Sequence, residues 1–222
     1  MNDFLLRSAG PDDLDGLVLL EHEVERALPC RDMFATDERE FYEPIVRGTG
    51  HILLAFDADG KLAGASVIRF PAADDPENLG LPLSLPPERL ATVRHLESVF
   101  VRPDIRGKKL AERLVRENMH ITEGCGRTLS MATVWPGNAA SLKLHLNLGL
   151  HIRAFAFKYG GKPRFILMDG DRTAMDAAPV FVRAMDLNAH RAQLNAGMAG
   201  VAICTQPNSQ DFLVEYRPVI TS

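Results

Sequence analysis

A strand-like pattern, a basic turn and a helix-like pattern follow one another without interruption between residues 94 and 119. "RHLESVFV" has the composition of a buried strand, and "RPDIRG" has that of a tight turn. Apolar residues then recur at helical spacing, at Leu110, Ala111, Leu114, Val115 and Met119. A strand that turns directly into a helix exposes several unpaired backbone N–H groups at the positive end of the helix dipole. The segment therefore predicts a site for an anion.

The turn itself carries positive charge around a single glycine. Gly107 lets the backbone approach a ligand, and Arg106, Lys108 and Lys109 add charge suited to a diphosphate or a ribose phosphate. The sequence contains neither the G-x-x-x-x-G-K-[ST] nucleotide loop nor the Rossmann glycine fingerprint. Charge runs also commonly face water. From these residues alone, a phosphate site and a solvated helix start both stay open.

Composition limits the classes of partner. The chain has 222 residues, of which 46% are hydrophobic, and this is ample for a core. A formal net charge of −4 gives no overall attraction to nucleic acid or to an anionic membrane. The first residues lack a charged segment followed by an apolar one, and no window approaches the roughly 18 apolar residues of a membrane helix. We expect a cytoplasmic protein with no nucleic-acid or membrane partner.

The three cysteines also bear on compartment and chemistry. Cys30, Cys125 and Cys204 are scattered and show no metal-ligand spacing. This pattern is typical of a reducing compartment without a disulfide framework, and we expect no metal site.

The remaining segments predict a mixed, mostly antiparallel sheet with helices on both faces. The patterns run in the order β-α-(α)-β-β-β-α-β-α-β-β, with a hairpin over residues 51–70 and a proline-rich loop over residues 71–90. Residues 171–222 follow as a β-α-β extension whose helix is capped by Asn188. The predicted fold class is α/β (α+β).

Two motifs resemble one known family. "LESVFVRPDIRGKKLAERLV" resembles the central motif of the GNAT acetyltransferase superfamily, V-x-P-x-x-R-G-x-G-x-G/A, which leads into the helix that holds the diphosphate of acetyl-CoA. "NAASLKLHLNLGL" is similar to the second motif, N-x-x-A-x-x-L-Y-x-x-x-G-F. The motifs occur in the right order, about 30 residues apart, and the resemblance covers residues 4 to about 168. The matching residues are Val101, Pro103, Arg106, Gly107, Leu110, Ala111, Asn138, Leu144 and Gly149.

The resemblance implies an acetyl-CoA-dependent N-acetyltransferase with a GNAT-like sheet. An acetyl group would move to a primary amine of a small molecule or peptide by direct attack in a ternary complex. In the family, backbone groups of the strand before the turn pair with the pantetheine arm, and one backbone N–H stabilises the oxyanion. The CoA-binding residues implied by position are Val99, Phe100, Val101, Arg106, Gly107, Lys108, Lys109, Leu110, Ala111, Asn138 and Ser141.

Three residues depart from the family pattern. Lys109 stands at the second motif glycine, which is tolerable where its φ is negative. Ser141 stands at the alanine position. His145 occupies the place where the family often has a tyrosine that protonates the leaving thiolate. The resemblance thus implies His145 as the acid, and a packed helix histidine is the alternative.

The resemblance also implies a catalytic base. Glu97 lies four residues before Val101, where several members keep a carboxylate that removes a proton from the amine through water. The alternative is an outward polar residue beside His95. Glu21, Glu23 and Tyr42 are candidates for the acceptor pocket, although surface polarity explains them as well.

The sequence leaves alternatives open for both the domain organisation and the function. Residues 1–170 are predicted to form the GNAT-like domain, and residues 171–222 to pack on it or extend it, to cover the acceptor side or to form a homodimer contact. Two rival functions remain. One is a CoA-binding module without transferase activity, and the other is a transferase for longer acyl chains.

Overall fold

The computed structural model describes residues 4–30, 33–34, 36–170, 173–205 and 211–220. The chain divides into two compact units, Met1–Asn78 with Pro86–Ser130, and Leu79–Leu85 with Met131–Ser222. The α-helices of the described residues are α1 Leu14–Arg26, α2 Arg39–Pro44, α3 Pro87–Leu90, α4 Leu110–Glu123, α5 Ala139–Asn147 and α6 Leu187–Asn195. The strands are β1 Leu5–Ser8, β2 Gly50–Phe56, β3 Leu62–Arg69, β4 Val93–Val101, β5 Leu129–Val134, β6 His151–Lys158, β7 Lys162–Met168, β8 Val180–Arg183, β9 Met198–Thr205 and β10 Phe212–Pro218.

In the first unit, β1 to β4 pair antiparallel in chain order. Alternate residues of β2 point to opposite faces, and both sets are buried because each face is covered by a helix. Ile52 and Leu54 join the core under α1, whereas Leu53 and Ala55 join the core under α4. Helices on both faces were predicted, and the structure confirms them here.

The two covering helices follow their apolar spacing. α1 buries Leu14, Leu17, Leu20 and Val24, which lie on one stripe of the helix. The fifth buried residue of that stripe is a carboxylic acid, Glu21. A charged side chain in this position is costly unless something compensates it.

The second unit contains the strand order β5-β7-β6-β9-β10-β8, with antiparallel neighbours throughout. α6 packs on β6 and β9. His190 of α6 is fully buried, and its ring nitrogens lie 2.8 Å from Tyr216 Oη and 3.0 Å from Ala184 O. These contacts fix α6 on the C-terminal strands.

The mixed, mostly antiparallel α/β fold is confirmed, but two details of the C-terminal extension were wrong. The cap of α6 is Asp186, whose Oδ1 accepts a hydrogen bond from Ala189 N at 3.0 Å, and not Asn188. The helix ends at Asn195, because Gly197 takes a positive φ of 76°, and β9 follows. The extension is therefore β-α-β-β, and it shares its unit with β6 and β7.

Candidate active site

The turn between β4 and α4 has the backbone conformation of a glycine-rich loop. Gly107 has a φ of 83°, and no atom lies within 4 Å of the position that a Cβ would take there. Lys109 has φ 58° and ψ 18°, which is the left-handed region. The condition under which a lysine is tolerable at this position, a negative φ, is therefore not met. The turn keeps the conformation that favours glycine even though a lysine occupies it.

This turn presents a row of backbone donors. Within the described part of the chain, the N–H groups of residues 107–111 donate to no acceptor, and Arg113 N donates to Lys109 O at 3.1 Å. These groups precede and begin α4, a helix of 14 residues. The side chains of Arg106, Lys108 and Lys109 are exposed beside them. Unpaired donors, the helix dipole and nearby cations together suit a phosphate group.

Two buried arginines fix the turn, and sequence reasoning missed both of these roles. Arg102 Nε donates to Asp104 Oδ1 at 2.7 Å, and its Nη2 donates to Asp57 Oδ2 at 2.8 Å. Arg94 on β4 donates to Thr122 Oγ1 on α4 at 2.9 Å. The strand, the turn and the helix are thus held to one another without using the exposed cations.

A β-bulge interrupts β4 at Glu97. Ser98 pairs with Val67 and Leu96 pairs with Ile68, so Glu97 is the extra residue. Bulges redirect a side chain and are common beside active sites. The motif gave no signal for this bulge.

Beyond the bulge, the backbone N–H and C=O groups of successive β4 residues point alternately toward β3 and away from it. Arg102 N donates to Ala63 O of β3 at 2.9 Å. Because direction alternates along an antiparallel strand, the backbone groups of Val99 and Val101 point away from β3. The side chains of Phe100 and Val101 are buried in the core. Val101 therefore has only its backbone for binding, whereas the backbone groups of Phe100 face β3.

Glu97 is held by two basic side chains. Arg69 Nε donates to Glu97 Oε1 at 2.6 Å, and His95 Nδ1 lies 3.3 Å from the same oxygen. Burial opposes ionisation of Glu97, but His95 and Arg69 outweigh it and hold the pKa of this carboxyl below its usual range. Arg69 also donates to Asp75 at 2.7 Å. Glu97 is therefore an ionised but weakly basic carboxylate.

Further acidic groups face Glu97 within the same unit. Glu21 of α1 and Tyr42 of α2 are both 0% exposed. Asp37 N donates to Glu21 Oε2 at 3.3 Å, and the Asp37 side chain is half-buried. The Tyr42 hydroxyl lies beside the Glu21 carboxyl, and this contact favours the ionised form of Glu21. We call Glu21, Asp37, Tyr42 and Glu97 the acidic pocket.

Burial raises the pKa values of three members of the acidic pocket. Burial raises the pKa of Glu21 to about 7, against smaller opposing effects of Tyr42 and the Asp37 N–H. Burial, and then the charge of Glu97, raises the pKa of Asp37 to about 6. Burial and the Glu21 charge raise the pKa of the Tyr42 hydroxyl. Glu23, the third acceptor-pocket candidate, is exposed on α1 and belongs to no such cluster.

The second-motif residues form a capped helix in the second unit. Asn138 Oδ1 accepts a hydrogen bond from Ser141 N at 3.0 Å, as an N-cap residue does. His145 is 4% exposed, and its Nδ1 lies 2.8 Å from Ser141 O. A carbonyl oxygen only accepts, so Nδ1 carries the proton. Burial lowers the pKa of His145, against a smaller effect of the Ser141 bond, and the neutral ring has no proton on Nε2.

The structure therefore brings the first-unit residues together. Glu97, the β4 backbone and the turn residues lie along one continuous strand and turn, with the acidic pocket beside Glu97. Asn138, Ser141 and His145 lie together on α5 of the second unit. Asp37 and Arg69 were missed by sequence reasoning. A charged residue that ends the apolar run "ASVIR" was the signal available for Arg69.

Comparison with known proteins decides the family. The sequence profile described as "Acetyltransferase (GNAT) family" matches residues 19–150, which include both motifs. The chain belongs to the GNAT acetyltransferase family. This GNAT chain is 37% identical over 71 residues to the L-amino acid N-acyltransferase MnaT of Escherichia coli strain K12. That match covers 32% of the chain and 40% of the relative, so the chain spans about two fifths of its length.

Solved GNAT structures share the fold. YncA, a putative acetyltransferase from Salmonella typhimurium solved with its cofactor acetyl-CoA, has a TM-score of 0.56 and 20% identity, covering 79% of this chain and 99% of its own. The ribosomal-protein-S18-alanine N-acetyltransferase of Escherichia coli has a TM-score of 0.57 and 14% identity, covering 75% and 93%. An N-acetyltransferase from Staphylococcus aureus Mu50 has a TM-score of 0.53 and 16% identity, covering 75% and 97%. At these identities the likeness establishes the fold alone.

No group of three or more His, Cys, Asp or Glu side chains in the described residues is arranged to hold a metal ion. No helix in these residues is both long enough and apolar enough to span a bilayer.

Proposed function

We propose that this GNAT chain transfers an acetyl group from acetyl-CoA to a primary amine by direct attack. The observation that carries the proposal is the row of N–H groups over residues 107–111, which have no acceptor within the described chain. An anion supplies the acceptors that these groups lack, and the diphosphate of CoA is such an anion. The open space at Gly107 accommodates a close approach.

Residues of the first unit perform the remaining tasks in this proposal. The backbone groups of Val99 and Val101, which point away from β3, pair with the pantetheine arm. A backbone N–H of β4 stabilises the oxyanion that forms when the amine attacks the thioester carbonyl. Arg106, Lys108 and Lys109 add charge at the exposed edge of the turn.

The acceptor amine must lose a proton before it attacks, and in this proposal Glu97 is the base that takes this proton. The acceptor ammonium first loses a proton, and its nitrogen then bonds to the carbonyl carbon. That nitrogen loses a second proton to solvent as the C–S bond breaks and releases a thiolate. Glu97 takes the first proton through water, and its bulge directs the side chain out of the regular β4 alternation. The neutral His145 lacks an Nε2 proton, so in this proposal the thiolate leaves as an anion and is protonated by solvent.

One observation favours a second candidate, a CoA-binding module without transferase activity. That observation is the buried His145 at the place of the expected acid. Calorimetry with CoA and thiol detection with acetyl-CoA across a panel of primary amines distinguish the two. We expect CoA binding and amine-dependent thiol release. Binding without release from any amine supports the module, and no binding of CoA refutes both.

A further inference from the structure

A serine, a histidine and an asparagine form a hydrogen-bonded chain on the α4 side of the first unit. Ser8 pairs with Leu53, and His51 lies two residues before Leu53 on β2, so these three side chains point to the same side of the sheet. Leu53 belongs to the core under α4, the helix that carries Asn118. Ser8 Oγ lies 2.8 Å from His51 Nε2, and His51 Nδ1 lies 2.7 Å from Asn118 Oδ1. Neither the β4–α4 turn nor the acidic pocket includes any member of this chain.

Asn118 determines which nitrogen of His51 carries the proton. Asn118 is fully buried, and its Nδ2 donates to Ser66 O at 2.8 Å. A carbonyl oxygen only accepts, so the amide nitrogen faces Ser66 and the amide oxygen faces His51. That amide oxygen also only accepts, and the neutral ring of His51 therefore carries its proton on Nδ1. The lone pair on Nε2 is left to accept the proton of the Ser8 hydroxyl.

The three groups have the order of a nucleophile, its base and an orienting group. A nucleophile and a base within hydrogen-bond reach, with the base oriented by a third group, are the geometric signature of an activated hydroxyl. Such a triad is recognised by geometry and not by position in the sequence. Ser8 is exposed, whereas Asn118 is fully buried. The reactive end of the chain therefore faces solvent, and its orienting end is fixed in the core.

The backbone of Ser8 supplies a donor next to its hydroxyl. Ala9 N donates to Ile52 O of β2 at 2.9 Å, and because direction alternates along the strand, the N–H of Ser8 points away from β2. β1 is the first strand of the sheet, with no strand on its other side in the described part of the chain. In serine proteases the N–H of the nucleophile itself is one donor to the oxyanion. Ser8 thus offers an oxygen and an N–H to a carbonyl group that arrives from solvent.

We propose that Ser8, His51 and Asn118 form a second catalytic site, which hydrolyses small carboxylic esters. Ser8 Oγ bonds to the ester carbonyl carbon while its proton passes to His51 Nε2, and the Ser8 N–H stabilises the oxyanion. The C–O bond to the alcohol then breaks, and the alcohol leaves with the proton from Nε2. Water, deprotonated by His51, releases the acid from the acyl-serine and returns the proton to Ser8. Asn118 is a positioning residue, because it acts through His51.

Turnover of p-nitrophenyl acetate tests the nucleophile. The assay contains neither CoA nor an amine, so its outcome does not depend on the proposed acetyl transfer. We expect the wild type to release p-nitrophenol and Ser8→Ala to lose this activity. Ser84→Ala, which removes another exposed serine hydroxyl, is the control and should retain it. Turnover that is absent from the wild type, or equal in the wild type and Ser8→Ala, overturns the proposal.

The base is tested by His51→Gln. General-base catalysis contributes about 100-fold or more, and we expect kcat/KM for p-nitrophenyl acetate to fall by that factor. His120→Gln removes an exposed histidine of α4 and should keep the wild-type rate. Because surface histidines can hydrolyse this ester by themselves, the acyl-enzyme is located by peptide mass spectrometry after acid quenching. An acetyl group on Ser8 supports the mechanism, and its absence from Ser8 in a protein that turns over the ester refutes it.

Nitrogen-15 NMR of the neutral His51 ring tests the positioning by Asn118. We expect the proton on Nδ1 in the wild type, and Asn118→Ala to lose this preference together with ester turnover. Circular dichroism checks that the variant is folded. A wild-type ring protonated on Nε2 overturns the assignment by itself, whether or not Asn118→Ala folds.

Discussion

The guanidinium of Arg69 holds the carboxylate of Glu97 across the β3–β4 pair, with Nε 2.6 Å from Oε1. The bulge at Glu97 offsets the register at this point, and Arg69 pairs with His95 in the ladder. The charge state of the proposed base is therefore set by His95 of its own strand together with Arg69 of the neighbouring strand. Glu97 is ionised before substrate arrives, at the expense of basicity.

Arg69→Met tests this control of the base. Without the guanidinium, burial of Glu97 is opposed by His95 alone, and the pKa of the carboxyl should rise. We expect the acidic limb of the pH profile of kcat/KM to move to higher pH. Arg47→Met, which removes an exposed arginine, is the control. An acidic limb at the same pH in both variants excludes Glu97 as the titrating group.

Glu21→Gln should stabilise the fold in a pH-dependent way. The folded pKa of Glu21 is raised from 4.5 to about 7, so the folded state binds the proton more tightly than the unfolded state. The stability associated with that proton is fully present below pH 4.5 and is lost as the pH rises through 7. The variant should match the wild type near pH 4 and exceed it at pH 8 by up to about 3 kcal/mol.

Denaturant unfolding at the two pH values measures this difference. Glu23→Gln, at an exposed position of α1, is the control. If Glu21→Gln is equally stable relative to the wild type at both pH values, the carboxyl is not desolvated as the structure places it.

Features that depend on residues close together in the sequence could be predicted, whereas features that depend on contacts between distant segments could not. The strand, turn and helix around Gly107 follow from apolar spacing and one glycine, and the structure has all three. The positive φ of Lys109 could not be predicted, because a lysine gives no local signal for the left-handed region. The acidic pocket depends on contacts among residues 21, 37, 42 and 97, which only the folded chain brings together. Its bulge likewise depends on cross-strand register.

The variant His145→Gln tests whether the buried, neutral imidazole of His145 titrates during the reaction. Burial holds its pKa below the usual value, so its contribution to stability is present above about pH 6.5 and is lost as the pH falls toward the folded pKa. We expect His145→Gln to lose less stability than the wild type on acidification, as measured by thermal unfolding. We also expect the thiol-release pH profile to keep its shape. A limb that disappears in the variant restores His145 as the acid.

Lys109→Gly should relieve the backbone of the turn. A left-handed residue other than glycine costs about 1–2 kcal/mol, and the greater freedom of glycine in the unfolded chain returns part of this. We expect a gain of about 0.5–1 kcal/mol in the free energy of unfolding and a loss of CoA affinity below about fivefold, because the main-chain donors remain. Lys108→Gly removes the same charge where φ is not positive, and it should give no gain in stability. Equal stability changes in the two variants contradict the strain at Lys109.

Gly107→Asp should abolish CoA binding while leaving the fold in place. The new carboxylate projects into the open space beside the unpaired N–H groups, where it repels the diphosphate and competes for its donors. We expect the Kd for CoA to rise about 100-fold or more in calorimetry. Gly126→Asp is the matched control, because Gly126 also has a positive φ, 71°, and no atom within 4 Å of a Cβ, but it lies beyond the C-terminal end of α4. Both variants place a side chain at a positive φ and add the same charge. A loss of affinity confined to Gly107→Asp assigns the phosphate to this turn, and equal affinities in the two variants place it elsewhere.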